Sequence, residues 1–340
     1  MSRLRFLLAL TALAVLGAAL AACGGGGDRS GESPQAVLEE ATLEGIESGK
    51  IDLSLDLEAT GKEGGNLDLR LSGPFQSEGA GELPQLDVSA TAKGEYRGER
   101  VDFDGGLVLL PDSAYVEYEG VTYEVDPTTY AFVESTLKQA QRESGAETGA
   151  AGAAACQEEL GELDVAELFE DGANEGSAEV DGVGTTKVSG DLDIPGAIDA
   201  VLEVVESGAC RAQLAAAGPL PSSAEIEDAK DEVGSSVKAA HVEAYVGDDD
   251  IVRRISARIE IEPDGGGKGP KRVEADLDLR LTGVNEEQQI SAPGKAKPLS
   301  KLFIELGINP IELLGLLQGE ETGEGLGELL EGLGAKAAGQ

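Results

Sequence analysis

The fold is decided by residues 51–59, Ile-Asp-Leu-Ser-Leu-Asp-Leu-Glu-Ala, in which apolar and polar side chains alternate without interruption. Alternation with a period of two predicts a β-strand that buries its apolar face and exposes its acidic face to water. We therefore expect a meander of about six antiparallel strands with one wet face. The same pattern recurs, after short turns, in residues 67–71, 86–92, 101–103, 107–109, 114–118 and 121–125.

Helical signals flank this meander. Ser33-Pro34 supplies an N-cap and a proline at the first helical position, and Gly49 is expected to end that helix. The resulting order of strands, helices and strands predicts the α+β class, with helices on one face of a long curved antiparallel sheet. Later in the chain, helices are predicted at residues 127–140 and 195–207, and an extended run at residues 177–193. Three further strands are predicted at residues 237–246, 255–261 and 273–281.

The first 22 residues have the composition of an export signal. Arg3 and Arg5 precede an apolar core at residues 6–19, and Leu20-Ala21-Ala22 stand directly before Cys23. This order resembles the bacterial lipobox, in which the cysteine thiol receives a diacylglycerol and becomes the new amino terminus. The alternative is an ordinary signal peptide that happens to precede a cysteine. The lipobox interpretation places the protein outside the cytoplasm, anchored to the cell membrane by its N-terminal lipid.

Four segments are predicted along the chain. Residues 1–22 are the signal peptide, residues 23–33 are the lipidated cysteine with a flexible Gly-rich tether, and residues 34–298 are the folded domain. Two or three acyl chains on Cys23 anchor stably, because each buried methylene contributes about 0.8 kcal/mol. Residues 299–340 begin with a strongly apolar helical stretch and end in a Gly/Glu-rich tail that is expected to be mobile. The apolar stretch is compatible with a core or capping helix, with membrane contact, or with occupation of a pocket.

The net charge limits the classes of partner. The whole chain carries −39 at pH 7, and removal of the signal, which holds two arginines and no acids, leaves −41. Such a charge keeps a protein soluble and repels nucleic acid and anionic lipid head groups. We therefore expect no nucleic-acid partner.

Two cysteines remain once Cys23 is lipidated. Outside the cytoplasm, Cys156 and Cys210 are expected to form a disulfide, which would stabilise the fold by about 4 kcal/mol on the chain-entropy model. The alternatives are two free thiols or a metal site, and the latter lacks supporting ligands because His241 is the only histidine.

Motifs of catalysis are missing from the sequence. There is no nucleophile elbow, no phosphate-binding loop and no dinucleotide fingerprint. His241 is interpreted as a half-buried strand histidine, and residues 248–250, Asp-Asp-Asp, as an acidic hairpin tip without the spacing of a calcium loop. We expect no catalytic residue, no metal and no cofactor, and hence a protein that is not an enzyme.

Three short stretches resemble the LppX/LprG-type lipoproteins of actinobacteria: residues 180–190 (a central strand), residues 246–255 (a late hairpin) and residues 290–293 (a closing strand). The resemblance implies a half-open β-barrel, related to the LolA carriers, in which helices and the concave face enclose an apolar cavity. It implies a lipid or glycolipid ligand carried between envelope layers, with an envelope lipid transporter as partner. The segment between Cys156 and Cys210 and the leucine-rich tail depart from the family pattern.

The expected function is therefore a membrane-anchored envelope lipoprotein that binds and carries acylated lipids or glycolipids. The alternative is a non-catalytic surface scaffold whose sheet has a filled core. A carrier would line its cavity with apolar strand residues, for which the candidates are Leu53, Leu55, Leu69, Leu71, Val88, Val101, Phe103, Ile259, Leu277 and Leu279.

Overall fold

The structure is a computed structural model. It describes residues 29, 31–43, 45–61, 64–77, 79, 83–96, 98–132, 134–135, 168–194, 196–197, 199, 236–263 and 269–306. Several predicted features lie outside the described residues: the signal peptide, Cys23, Cys156, Cys210, most of the helix at 195–207 and the tail beyond residue 306.

The described residues form a twelve-stranded sheet and two helices of defined bounds. The helices are α1 (Pro34–Glu40) and α2 (Leu299–Leu306). The first six strands are β1 (Ser48–Gly61), β2 (Gly65–Gln76), β3 (Gln85–Tyr96), β4 (Glu99–Leu109), β5 (Ala114–Tyr118) and β6 (Val121–Glu124). The others are β7 (Phe169–Val180), β8 (Val183–Leu192), β9 (Val237–Gly247), β10 (Val252–Ile261), β11 (Pro270–Thr282) and β12 (Lys297–Pro298).

Hydrogen-bonded neighbours follow the order β12-β6-β5-β4-β3-β2-β1-β11-β10-β9-β8-β7. Pairing is antiparallel from β2 to β6 and from β7 to β11, whereas β12 runs parallel to β6. The order ends at β12 and β7, so the described sheet is not closed. The prediction of an α+β fold built on a long antiparallel sheet is confirmed.

The chain divides into two compact units. Unit 1 consists of residues 1–46, 54–64 and 143–282, and it contains α1 and strands β7 to β11. Unit 2 consists of residues 47–53, 65–142 and 283–340, and it contains strands β2 to β6, β12 and α2. Strand β1 contributes its first residues to unit 2 and its later residues to unit 1.

Helix α1 begins as predicted and ends earlier. The Ser33 hydroxyl accepts a hydrogen bond of 3.1 Å from the Ala36 amide, which is the N-cap geometry that Ser-Pro favours. The helix ends at Glu40, however, and the prediction that it continues to Gly49 is wrong. The reason is that Thr42 pairs with the β9–β10 hairpin: its amide donates to the Asp250 carbonyl at 2.8 Å, and its carbonyl accepts from Val252 at 3.0 Å.

The extended run predicted at residues 177–193 is instead a hairpin of β7 and β8. Asp181 and Gly182 have φ of 49° and 84°, and Val180 pairs with Val183 on either side of them. Two successive positive φ values make the tight turn whose twist matches that of paired strands. Asp-Gly supplies this conformation at little cost because both residues tolerate the left-handed region.

Two further strand predictions need correction. Residues 101–103 and 107–109 belong to the single strand β4, because Gly105 and Gly106 keep their pairing with β3. Residues 290–293, which resemble a closing strand, form no strand, and the short β12 comes four residues later.

The flexible tether predicted over residues 23–33 is wrong for Arg29. Its side chain is 2 % exposed and forms ion pairs with Asp250 and with Glu40, the latter at 2.8 Å. The Asn174 side-chain amide donates to the Arg29 carbonyl at 2.7 Å. A guanidinium with two carboxylate partners is held in the fold because burying either charge alone would be costly.

Candidate functional site

Over residues 67–75, 86–94 and 101–109, one face of the unit 2 sheet carries only apolar side chains and glycine. In β2 the positions 67, 69, 71, 73 and 75 are Leu, Leu, Leu, Gly and Phe, and in β4 the positions 101, 103, 105, 107 and 109 are Val, Phe, Gly, Leu and Leu. Between them, β3 contributes Leu, Val, Ala, Ala and Gly at positions 86, 88, 90, 92 and 94. The cross-strand register places these residues on the same face, which we call the apolar face of unit 2.

The different sizes of these side chains leave a shallow trough in the apolar face of unit 2. Ala92 and Gly94 stand in β3 between larger residues of both neighbouring strands, and Ala90 stands between Leu71 and Gly105. In successive rows, Leu69 pairs with Ala92 and Ala92 with Phe103, while Leu67 pairs with Gly94 and Gly94 with Val101. Since neighbouring strands lie about 4.8 Å apart, the two ridges are about 10 Å apart, with the small residues as the floor.

Part of this face is open to solvent. Phe103 is 43 % exposed, and Val101 and Leu107 are each 39 % exposed. Scattered exposed apolar residues are common on soluble proteins. These three belong to one strand and one face, and they adjoin the trough through their partners in β3, so they form a contiguous apolar surface.

The Phe103 ring extends along β4 over Gly105, which has no side chain to obstruct it. A Cβ built on Gly105 would lie 2.7 Å from Cζ of the Phe103 ring, so the ring lies over the space that a side chain at 105 would need. The same ring packs on Tyr118 in β5, with ring centroids 6.3 Å apart and an interplanar angle of 52°. This tilted geometry is favourable for aromatic pairs. Burial raises the pKa of Tyr118, and Glu119 adds to that effect.

The opposite face of the same strands is charged. Arg70 pairs with Asp68 at 2.9 Å and Arg100 with Asp102 at 3.2 Å, each two residues apart along one strand. All four side chains are more than 40 % exposed, so these ion pairs contribute little to stability. They give the sheet a well-solvated side, whereas the other side is apolar over residues 67–75, 86–94 and 101–109.

Helix α2 covers the β6 end of the apolar face. Tyr123 in β6 pairs with Val116 and is 1 % exposed, and its hydroxyl donates to Glu305 Oε2 of α2 at 2.7 Å. Leu302 of the same helix is also buried. The apolar face is therefore covered at β6 and open at β4.

Unit 1 has a filled core. Helix α1 packs on β7 and β8, and Val188, Val246 and Val252 are at most 1 % exposed. The cluster consists of Val37, Leu38, Ala41, Phe169, Val188, Leu192, Ala240, Val242, Ala244, Val246, Val252 and Ile259. The chain's own side chains thus fill the core of unit 1.

The ten predicted lining residues divide between the units. Leu53, Leu69, Leu71, Val88, Val101 and Phe103 belong to unit 2, and five of these, all but Leu53, lie on its apolar face. Leu55, Ile259, Leu277 and Leu279 belong to unit 1, where Ile259 is part of the packed cluster. The residues that the sequence did not single out are the small ones, Ala90, Ala92 and Gly94, because a missing side chain gives no hydrophobic signal.

His241 lies in a strand, as predicted, but on the solvated face of the sheet. It lies on the charged face of β9 with its side chain 47 % exposed, and its Nδ1 is 2.8 Å from Asp191 Oδ1. An extra residue in β9, Lys238, shifts the register between Val237 and Ala239. This bulge reverses the alternation counted from Val237, so the even-numbered residues from Ala240 onward face the core.

Residues 248–250 form a hairpin tip, as predicted. Two of the three carboxylates are neutralised by arginine, since Asp249 pairs with Arg253 at 2.5 Å and Asp250 pairs with Arg29. Within the described ranges, no group of three or more His, Cys, Asp or Glu side chains could hold a metal ion. Of the helices the structure describes, none combines the length and apolar character needed to cross a bilayer.

Comparison with known proteins found similar folds. No protein-family model matches the chain, and no curated protein matches it. LprF from Mycobacterium bovis is 14 % identical, with 77 % of this chain and 97 % of that chain covered and a TM-score of 0.32. The lipoprotein LppX from Mycobacterium tuberculosis is 10 % identical over 76 % and 98 % of the two chains, with a TM-score of 0.29. A LolA superfamily protein from Nitrosomonas europaea is 9 % identical over 76 % and 98 %, with a TM-score of 0.17. LprF and LppX, whose family the sequence resembles, are among these structures.

Proposed function

We propose that this chain is a non-enzymatic envelope lipoprotein, anchored outside the cytoplasm by lipid on Cys23, that binds the acyl chains of a lipid or glycolipid on the apolar face of unit 2. The observation that carries the proposal is the trough in which Ala92 and Gly94 lie between Leu67 and Leu69 on one side and Val101 and Phe103 on the other. Carriage of the lipid between envelope layers, with an envelope transporter as partner, is part of the same proposal.

The chemistry of the face favours hydrocarbon over a polar solute. Over the fifteen positions of β2, β3 and β4 that define it, no side chain offers a hydrogen-bond donor or acceptor. Sites for polar solutes place a few polar groups among apolar walls to fix orientation. A face without such groups gains affinity from apolar burial alone, at about 25 cal/mol per Å². Acyl chains are the biological ligands that this suits best.

A second candidate function is a surface scaffold with a filled interior. The packed core of unit 1, in which α1 packs on β7 and β8, favours this alternative for that unit. The two candidates differ in whether the trough of unit 2 accepts a ligand, so the decisive experiment addresses the trough directly.

The experiment fills the trough and measures acyl-chain binding. Ala92→Leu adds a large side chain to the floor, whereas Thr91→Leu adds a leucine to the neighbouring position on the opposite face. We expect the delipidated protein and Thr91→Leu to bind a fluorescent fatty-acyl probe, and Ala92→Leu to bind it at least tenfold more weakly. Native mass spectrometry of the wild-type protein should detect co-purified lipid. Absence of probe binding by the wild-type protein, or equal binding by both variants, would contradict the proposal.

A further inference from the structure

Arg29 is the point at which the N-terminal end of the chain joins unit 1. It is the most N-terminal of the described residues, and its guanidinium lies between Asp250 and Glu40. The Asn174 side-chain amide donates to the carbonyls of Arg29 and Glu32, at 2.7 and 3.0 Å. The partners of Arg29 therefore come from α1, from β7 and from the β9–β10 turn.

The segment that follows is fixed to the same end of unit 1. The Glu32 amide donates to the Arg29 carbonyl at 3.0 Å, which closes a turn before α1. After α1, Thr42 bonds with Asp250 and Val252 on either side of Ile251. The chain from Arg29 to Thr42 thus begins and ends beside the β9–β10 hairpin tip.

The distance from the lipid anchor to this junction is short. Cys23 and Arg29 are six residues apart, and a fully extended chain spans at most about 3.6 Å per residue, or about 22 Å in all. Resting on the proposed anchoring at Cys23, we propose that the end of unit 1 formed by Arg29 and the hairpin tip at residues 248–250 faces the lipid bilayer at that distance, as the membrane-proximal surface of the protein.

The opposite end of the same hairpin is much farther from the junction. Strand β10 runs from Val252 to Ile261, and Glu262 follows it at the end remote from the tip. Ten strand residues span about 33 Å, so an exposed residue at Asp248 and one at Glu262 report on well-separated heights above a bilayer. Both are exposed acids, so their substitution leaves the packed core of unit 1 untouched.

Tether length, and not attraction to head groups, sets this orientation. Asp248 and Asp249 stand at the tip, and acidic side chains are repelled by anionic lipids. Vesicles of phosphatidylcholine remove this repulsion, so the effect of the tether can be measured without it.

The test uses tryptophan as a single fluorescent donor, because the chain contains none. Full-length lipidated protein carrying Asp248→Trp or Glu262→Trp is bound to phosphatidylcholine vesicles that contain dansyl-phosphatidylethanolamine as acceptor. We expect several-fold more energy transfer from Asp248→Trp than from Glu262→Trp. A Gly/Ser insert after Gly27 that triples the tether should lower the transfer from Asp248→Trp and reduce the difference between the two positions.

The outcomes separate this inference from the anchoring on which it rests. If the lipidated protein binds vesicles no better than a Cys23→Ser variant, the anchoring fails and the inference fails with it. If the protein binds but the transfer is equal from both positions, or larger from Glu262→Trp, the orientation is overturned while the anchoring stands. Transfer from Asp248→Trp that the longer tether leaves unchanged would also overturn it.

Discussion

The hydroxyl of Tyr123 in β6 donates a hydrogen bond of 2.7 Å to Glu305 Oε2 in α2, which fixes the helix to strand β6 of unit 2. Tyr123 is 1 % exposed. The hydrogen bond to Glu305, with burial as the second cause, raises the pKa of Tyr123 from 10.0 to about 12. Ionisation of this buried phenol would break the bond and place two negative charges side by side.

We therefore expect the protein to lose stability at alkaline pH. The folded state holds the Tyr123 proton more tightly than the unfolded chain, so the stabilisation is complete below pH 10 and is lost as the pH rises through 12. The loss is about 2–3 kcal/mol, at about 1.4 kcal/mol per unit of pKa shift. Urea unfolding across this range measures it, and Tyr123→Phe, which has no ionisable group, should lack this part of the decline. An identical decline in that variant would contradict the assignment.

Gly105 is required by the Phe103 ring. Gly105→Ala would place a methyl group 2.7 Å from Cζ of Phe103 and 3.0 Å from the Glu117 carbonyl oxygen, so the ring must move away from Tyr118. We expect a destabilisation of about 1–3 kcal/mol, the usual cost of overpacking, measured by chemical denaturation. Gly184→Ala is the control, because a Cβ on Gly184 meets nothing within 4 Å. A Gly105→Ala protein as stable as the control would show that the ring position is not constrained.

How much of this could be predicted from the sequence differs between the units. The meander of β1 to β6 follows from alternation alone, because each strand has one wet face and short turns join consecutive strands. In unit 1 the alternation misleads at Lys238, whose bulge places His241 on the charged face. The β7–β8 hairpin has a usable signal in Asp181-Gly182, a turn-forming pair that stands between two valines.

The sequence predicts that the candidate site is apolar, but it does not predict the trough. Alternation identified Leu69, Leu71, Val88, Val101 and Phe103 as apolar strand residues. It could not align Ala92 between Leu69 and Phe103, because that alignment depends on cross-strand register, which the turns determine. The burial of Arg29 was equally hidden, since its partner Asp250 is 221 residues away in the chain.

Removal of Arg29 should destabilise unit 1 strongly. Arg29→Leu leaves the buried carboxylate of Asp250 without this guanidinium, and breaking a buried pair by deleting one partner costs about 3–5 kcal/mol. The double variant Arg29→Leu/Asp250→Asn removes the orphaned charge and keeps a residue type that tolerates the φ of 63° at position 250. We expect it to recover part of the loss in urea unfolding. Additive effects of the two substitutions would contradict the coupling.

The ion pair of Lys187 and Glu243 should make unit 1 sensitive to acid. Their charged groups are 2.7 Å apart, and Glu243 also accepts hydrogen bonds from Tyr245 and Ser256. The hydrogen bond from Lys187 lowers the pKa of Glu243, so the stabilisation is present above the carboxyl's ordinary pKa of 4.5 and is lost as the pH falls through its lowered value. We expect Glu243→Gln to cost about 1–2 kcal/mol at pH 7, with unfolding by urea as the measurement, and to weaken the acid dependence.

The exposed pair of Arg258 and Asp276 provides the matched comparison for this prediction. It lies on the same charged face, at 2.6 Å, but its side chains are 77 % and 47 % exposed against 26 % and 28 % for Lys187 and Glu243. Solvent screening should therefore make Asp276→Asn less costly than Glu243→Gln. Costs of equal size for Asp276→Asn and Glu243→Gln would mean that partial burial does not strengthen the ion pair of Lys187 and Glu243. The stability of this face would then depend on its total charge rather than on the hydrogen bonds around Glu243.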